Sequence, residues 1–227
     1  MKLSVIIPTF NEERTIAEVL ERISTLDGPK QIIVVDDGST DSTRTLLEAW
    51  RDRDDVVIIT QPNRGKGAAI RTAIPYVTGE IALIQDADLE YDPVDIPALV
   101  DPIRRGVADV VLGSRLSRGR PQRAYLFWHL VGNRFLSLIA NVLFNTTVSD
   151  IETGYKAFRV DVLRSLELRA NDFAIEPEIV AKVCKRKLRV YEVPIAYYGR
   201  TYEEGKKITW RDGAKAVWVL FRVRVRS

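Results

Sequence analysis

Four short apolar runs, residues 3–8, 31–35, 56–60 and 81–85, alternate with stretches of helical spacing, and each run stops on polar residues. The first intervening stretch opens with Asn11, Glu12 and Glu13. It then places Ile16, Val19, Leu20 and Ile23 at intervals of three or four, the stripe of an amphipathic helix. The second, capped from Ser39 or Asp41, runs to about Trp50, and the third follows the loop 61–67 and ends near Tyr76. A short apolar run bounded by turns reads as a strand buried on both faces. Strand–helix alternation of this kind predicts a parallel α/β sheet covered on both sides, with ligands at the carboxyl ends of its strands. Those ends carry Thr9 and Asn11, Asp36 and Asp37, Gln61 and Asn63, and Asp86 and Asp88. A fifth strand is expected over residues 110–113.

The fourth strand end is the most heavily charged. Asp86, Asp88, Glu90 and Asp92 alternate along it, and residues 72–103 hold seven acids with no Lys or Arg. In an extended chain residues two apart point the same way, so Asp86 and Asp88 converge. Carboxylates crowded without basic neighbours repel one another unless a cation sits among them. Oxygen-only ligands suit Mg²⁺ or Mn²⁺. A divalent-metal site is therefore expected here, the alternative being a solvated acidic turn.

Other classes are excluded. Pro8-Thr9-Phe10-Asn11-Glu12-Glu13 stands where a dinucleotide-binding chain needs Gly-x-Gly-x-x-Gly, and no P-loop pattern occurs. A net charge of +3 makes no general nucleic-acid binder, and 46% hydrophobic with 29% charged residues describes a globular protein. The single Cys184 excludes an intramolecular disulfide and fits a reducing compartment. There is no signal-peptide pattern, and no window of about 18 residues is free of charge. A cytoplasmic protein is expected.

The second half differs in character. A basic segment, residues 117–123, leads into residues 125–144, the most apolar stretch, interrupted by Asn133, Arg134 and Asn141. It reads as helices lying in a membrane interface, with a core helix or a homodimer surface as the alternatives. His129 within it is expected to be structural. Residues 214–226 alternate Val, Trp, Leu and Phe with Arg, a second surface for anionic lipid. Glu176 and Glu178 open a helix behind Pro177, either favouring its dipole or supplying a base.

The segments Ser4-Val5-Ile6-Ile7-Pro8-Thr9-Phe10-Asn11-Glu12, Val35-Asp36-Asp37-Gly38-Ser39, Asn63-Arg64-Gly65-Lys66-Gly67, Asp86-Ala87-Asp88 and Gly113-Ser114-Arg115 resemble family 2 glycosyltransferases of the GT-A fold. Asp150-Ile151-Glu152-Thr153-Gly154-Tyr155-Lys156, Val193-Pro194-Ile195 and the stretch from Arg200 to Ile208 resemble, within that family, the dolichyl- and polyprenyl-phosphate mannose and glucose synthases. The resemblance implies one domain over 1–227, with a mainly parallel, Rossmann-like sheet covered by helices, an interfacial helical insertion and an amphipathic C-terminal helix. Residues 1–116 would bind the nucleotide sugar and 117–227 the acceptor and membrane. Pro8, Phe10 and Glu12 would border base and ribose, Asp37 the base, and Lys66 and Ala87 the nucleotide sugar. Asp86 and Asp88 would hold ribose and metal, with Glu90 completing the metal shell; mannosyl relatives tend to carry Gln there. Arg115, Arg200 and Lys206 would face phosphates; among the cations of the second half, Arg123 and Arg134 are expected with Arg115 at the acceptor phosphate. Asp88, Arg115 and Glu176 form the expected catalytic set. The implied activity is inverting transfer of a hexose from UDP-glucose or GDP-mannose to a polyprenyl phosphate, with Mg²⁺ or Mn²⁺, by a peripheral protein on the inner face of the membrane. Transfer to a sugar hydroxyl and a catalytically silent sugar-nucleotide sensor remain as alternatives.

Overall fold

The four apolar runs form β1 (Leu3–Thr9), β2 (Lys30–Asp36), β3 (Val56–Thr60) and β4 (Ile81–Ile84). This is a computed structural model describing residues 1–117, 119–123, 127–199 and 210–225, the side chains of residues 210 and 211 aside. The four strands pair in parallel in the order β3-β2-β1-β4. Between them run α1 (Ile16–Ser24), α2 (Thr43–Glu48) and α3 (Lys66–Ala73), the last followed by a 3₁₀ turn to Tyr76. Because strand side chains alternate, the sheet feeds two cores. Ile6, Ile33, Val35 and Ile84 enter one, and Val5, Ile7, Ile32 and Val34 the other. The expected stripe of α1, Ile16, Val19, Leu20 and Ile23, lies fully buried in the second core. Asp41 acts just ahead of α2, its Oδ1 accepting from the Thr43 amide at 3.0 Å.

The second half adds α4 (Ile96–Arg104), β5 (Val110–Ser114), α5 (Phe127–Phe144), β6 (Lys156–Arg159), α6 (Val160–Ser165), α7 (Ile175–Lys185), β7 (Val190–Pro194) and α8 (Trp210–Val225). The completed sheet has seven strands in the order β3-β2-β1-β4-β6-β5-β7. β6 runs antiparallel to both its neighbours, while β5 and β7 are parallel. Neither β6 nor β7 is legible in the sequence. β6 is four residues long with Lys and Arg at its ends, and β7 carries Tyr191 and Glu192 between its valines.

α5 places Asn133, Leu136, Ser137 and Ala140 inward and packs against α8. Outward it presents Trp128, Phe135, Leu138 and Val142, exposed at 78%, 58%, 58% and 75%. On α8, Trp218, Phe221 and Val225 are exposed as well. No described helix is long and apolar enough to cross a membrane. Arg118, Tyr125, Leu126, Arg200, Lys206 and Arg226 lie outside the described residues.

Candidate active site

A cavity of about 650 Å³ opens along the carboxyl ends of β1, β2 and β4. Its floor begins with Pro8, Thr9, Phe10 and Glu12, where β1 gives way to the turn before α1. Asp37, just past β2, organises the next wall. Its Oδ1 accepts from Gln61 Nε2 (2.6 Å) and the Arg64 amide (3.0 Å), and its Oδ2 from the Gly65 amide (2.7 Å). The loop 61–65 is thereby folded over the cavity. Gly65 has φ +97°, and a Cβ there would lie 2.5 Å from the Asn171 carbonyl oxygen. Only glycine allows this approach. It sets Lys66 at the start of α3 beside Phe173 and Glu176 of the second half.

The acids of 86–92 do find partners, and their cationic ones come from distant segments of the chain. Lys66 Nζ contacts both oxygens of Asp86, at 2.7 and 2.9 Å, and Glu176 Oε1 at 2.8 Å. Burial alone would lower the pKa of Lys66, but the two carboxylates outweigh it and raise it, so the ammonium stays charged. Asp88 Oδ1 accepts from the Glu90 amide at 3.0 Å. Glu90 Oε2 accepts from the Tyr197 hydroxyl at 2.9 Å, and Asp92 pairs with Arg22 at 3.3 Å. Tyr91 stacks on Tyr155 with centroids 5.1 Å apart, and its hydroxyl accepts from the Gly154 amide at 3.0 Å. The acidic segment is therefore a clamped loop, its shape fixed from β6 and from the chain beyond β7.

Glu176 neither favours a dipole alone nor stands open as a base. Its carboxylate is buried between Lys66 and Lys156, the latter fully buried on β6. Burial would raise its pKa, yet the two ammonium groups lower it below the usual carboxylate range. Glu178 instead closes the preceding loop, accepting from the amides of Arg169 and Ala170, and pairs with Lys182 at 2.8 Å.

Arg115, at the end of β5, is bound bidentately by Asp150 at 2.7 and 2.8 Å and lies 5.1 Å over the Tyr197 ring. Asn133 of α5 donates to the same Asp150 at 2.8 Å. Arg123 reaches the cavity and donates to the Gly199 carbonyl at 2.9 Å. Arg134, expected beside it, is exposed and does not line the cavity, because the turn of α5 that sends Asn133 inward sends its neighbour out. Ala87, Asp88, Glu90, His129, Glu152 and Gly154 also line the cavity.

The sequence reading singled out neither Asp150, Asn133, Lys156 nor Tyr197 as site residues. Their parts depend on contacts between distant segments. Gly154, within the segment 150–156, lets Asp86 pack against the backbone where a Cβ would collide with its carboxylate.

Among the described residues no group of three or more acids, histidines or cysteines is assembled to hold a metal ion. Asp86 and Asp88 still provide an oxygen-donor set on the cavity wall. Such a set suits Mg²⁺ or Mn²⁺ when substrate phosphates complete the shell.

The model of the glycosyl transferase family 2 matches residues 4–167, and the chain belongs to that family. It is 33% identical over 197 residues to glycosyltransferase AglJ of Haloferax volcanii, covering 86% of this chain and 63% of that protein. It is 30% identical over 211 residues to the dolichol-phosphate mannosyltransferase of Pyrococcus furiosus, covering 91% and 59%. The chain thus spans less than two thirds of these two relatives. Among solved structures, glucosyl-3-phosphoglycerate synthase from Mycobacterium tuberculosis, in complex with Mn²⁺, UDP and phosphoglyceric acid, matches with a TM-score of 0.75 at 22% identity, over 99% of this chain and 78% of that one. The fold is that of the GT-A glycosyltransferases.

Proposed function

We propose that the chain transfers a hexose from a nucleoside-diphosphate sugar, UDP-glucose or GDP-mannose, to a polyprenyl phosphate, with inversion at the sugar carbon. The observation that carries this reading is the state of Glu176. A sugar hydroxyl is a weak nucleophile at neutral pH and needs a positioned base. Glu176 is held as an ion-paired carboxylate with a lowered pKa, poorly suited to take a proton. A phosphate monoester needs no such base, because its second pKa is about 6 and it is largely dianionic at pH 7. It needs cations, and Arg115 and Arg123 line the far wall of the cavity.

Pro8, Phe10, Glu12, Asp37, Lys66 and Ala87 would receive the nucleotide sugar in this reading, and Arg200 and Lys206 would add phosphate contacts. Asp86 and Asp88, with Glu90 nearby, would hold Mg²⁺ or Mn²⁺. When bound, that ion supplies charge neutralisation for the departing diphosphate. Arg115, held in place by Asp150 and the Tyr197 ring, would present its guanidinium to a phosphate in the cavity. The outward apolar surface of α5 and α8, with Arg222 and Arg224 beside it, fits peripheral attachment to an anionic membrane face that carries the lipid acceptor.

The test is turnover with short-chain polyprenyl phosphate against a free sugar hydroxyl acceptor, using both donors. Transfer to the lipid phosphate alone is expected. Asp88→Asn should lower its rate roughly 100- to 1000-fold, about 3–4 kcal/mol of transition-state stabilisation. Transfer to the hydroxyl alone, or an Asp88→Asn variant with normal turnover, would sink the reading.

A further inference from the structure

Lys156 is fully buried on β6, where an ammonium is costly unless a carboxylate meets it. Glu176 meets it through Oε2, and the Thr153 carbonyl accepts a second hydrogen bond from the same ammonium. Were burial of Lys156 the whole purpose, the carboxylate would be complete at that point. Its other oxygen lies instead 2.8 Å from Lys66, and Lys66 in turn covers both oxygens of Asp86. The four groups alternate in sign, sum to zero, and come from four separate elements or their ends: β6, α7, α3 and β4. Lys66 links the buried pair to the cavity: one of its partners is Glu176 and the other is Asp86. Its side chain is 13% exposed, against 5% for Glu176 and 17% for Asp86.

A divalent cation arriving alone at Asp86 would meet the Lys66 ammonium less than 3 Å from the oxygens it needs. A diphosphate arriving with it changes the balance. The Lys66 stem is flexible and its ammonium a compact point charge, so it can turn from Asp86 toward phosphate while keeping Glu176. We propose that Lys66 is the resident counter-ion of Asp86, held there by Glu176 and Lys156, and that the site takes up a divalent cation only together with the diphosphate of the donor. Glu176 and Lys156 are then positioning residues acting through Lys66. This rests on the transferase reading above and adds an order of uptake to it.

The test is Mn²⁺ titration of the full chain, followed by electron paramagnetic resonance of free Mn²⁺, without nucleotide and with UDP or GDP. The unsubstituted protein should bind Mn²⁺ at least about tenfold more tightly when nucleotide is present. Lys66→Met and Lys66→Gln, the second keeping a hydrogen-bond donor without the charge, should bind Mn²⁺ alone roughly ten- to a hundredfold more tightly than the unsubstituted protein. Both gain less from nucleotide. Glu176→Gln combined with Lys156→Met leaves no unpaired buried charge and should move Mn²⁺ affinity in the same direction by a smaller factor. If the Lys66 variants bind Mn²⁺ alone no better than the unsubstituted protein, the counter-ion role is overturned while nucleotide-linked binding can stand. If the unsubstituted protein takes up no Mn²⁺ with either nucleotide, the metal assignment falls and this inference with it.

Discussion

α1 buries its whole apolar stripe, whereas α5 turns two polar residues inward and most of its largest apolar ones outward. In α1 the stripe Ile16, Val19, Leu20 and Ile23 is fully buried and Glu18, Glu21 and Arg22 face out. In α5 Asn133 and Ser137 lie inside beside Leu136 and Ala140, and Trp128, Phe135, Leu138 and Val142 face out. Periodicity reveals that a helix has two faces, but not which of them the rest of the chain will cover. For α1 the neighbouring strands are apolar and take the stripe. For α5 the inward position is set by Asp150, a buried carboxylate already committed to Arg115, which the Asn133 amide helps to satisfy. Trp128, Phe135, Leu138 and Val142 therefore add nothing to the core, to which α5 contributes Leu136 and Ala140.

The contrast can be broken by substitution. Leu20→Ala, at a fully buried site, should cost about 2–5 kcal/mol in urea unfolding through lost contact and a residual cavity. Asn133→Leu adds apolar surface to a helix, yet it should cost about 1–3 kcal/mol, because Asp150 loses a donor it cannot replace from water. That loss has a pH signature. Burial would raise the pKa of Asp150, but Arg115 and then Asn133 hold it below the ordinary value. A lowered folded-state pKa stabilises the fold above the unfolded pKa and loses that contribution as pH falls through the folded value. The gap between Asn133→Leu and the unsubstituted protein should be widest near neutral pH and close in acid. A gap that ignores pH would mean that packing, not the carboxylate, sets the orientation of α5.

The smallest change in stability is expected from Phe135→Ser combined with Leu138→Ser, within about 0.5 kcal/mol as for other surface positions. The same pair should release the protein from anionic vesicles, whose hold should also weaken as salt rises. If the pair destabilises as much as Leu20→Ala, the outward face is covered in solution. A concentration-dependent melting temperature would then identify a second copy of the chain as the cover.

The first half was legible almost strand for strand, since each element there follows from apolar runs and local turn residues. The cavity floor was legible for the same reason: Asp37, Asp86 and Asp88 sit where strands end. The clamps around that floor were not. Seven acids without a basic neighbour in sequence suggested repulsion, whereas Lys66 reaches Asp86 from α3 and Arg22 reaches Asp92 from α1. The sequence does not decide the role of Glu176, because its partner Lys156 sits on a strand of four residues with charged ends. Arg134 followed its composition onto the acceptor side, but the helix turn carried it away.

The placement of β6 bears on how the chain acquires its shape. β4 pairs on one side with β1, already synthesised when β4 is made, and on the other with residues 156–159. Until those residues have been synthesised, the flank of β4 that bears the acidic loop is an open strand edge, a template for any extended segment nearby. The nascent first half is thus most vulnerable to misassociation between completion of β4 and arrival of β6, a window of about 75 residues at ordinary elongation rates. A fragment ending at residue 116 would stay in that window permanently. The strand that closes the edge also carries Lys156, so one docking event covers β4 and brings in the ammonium that Glu176 of α7 then meets.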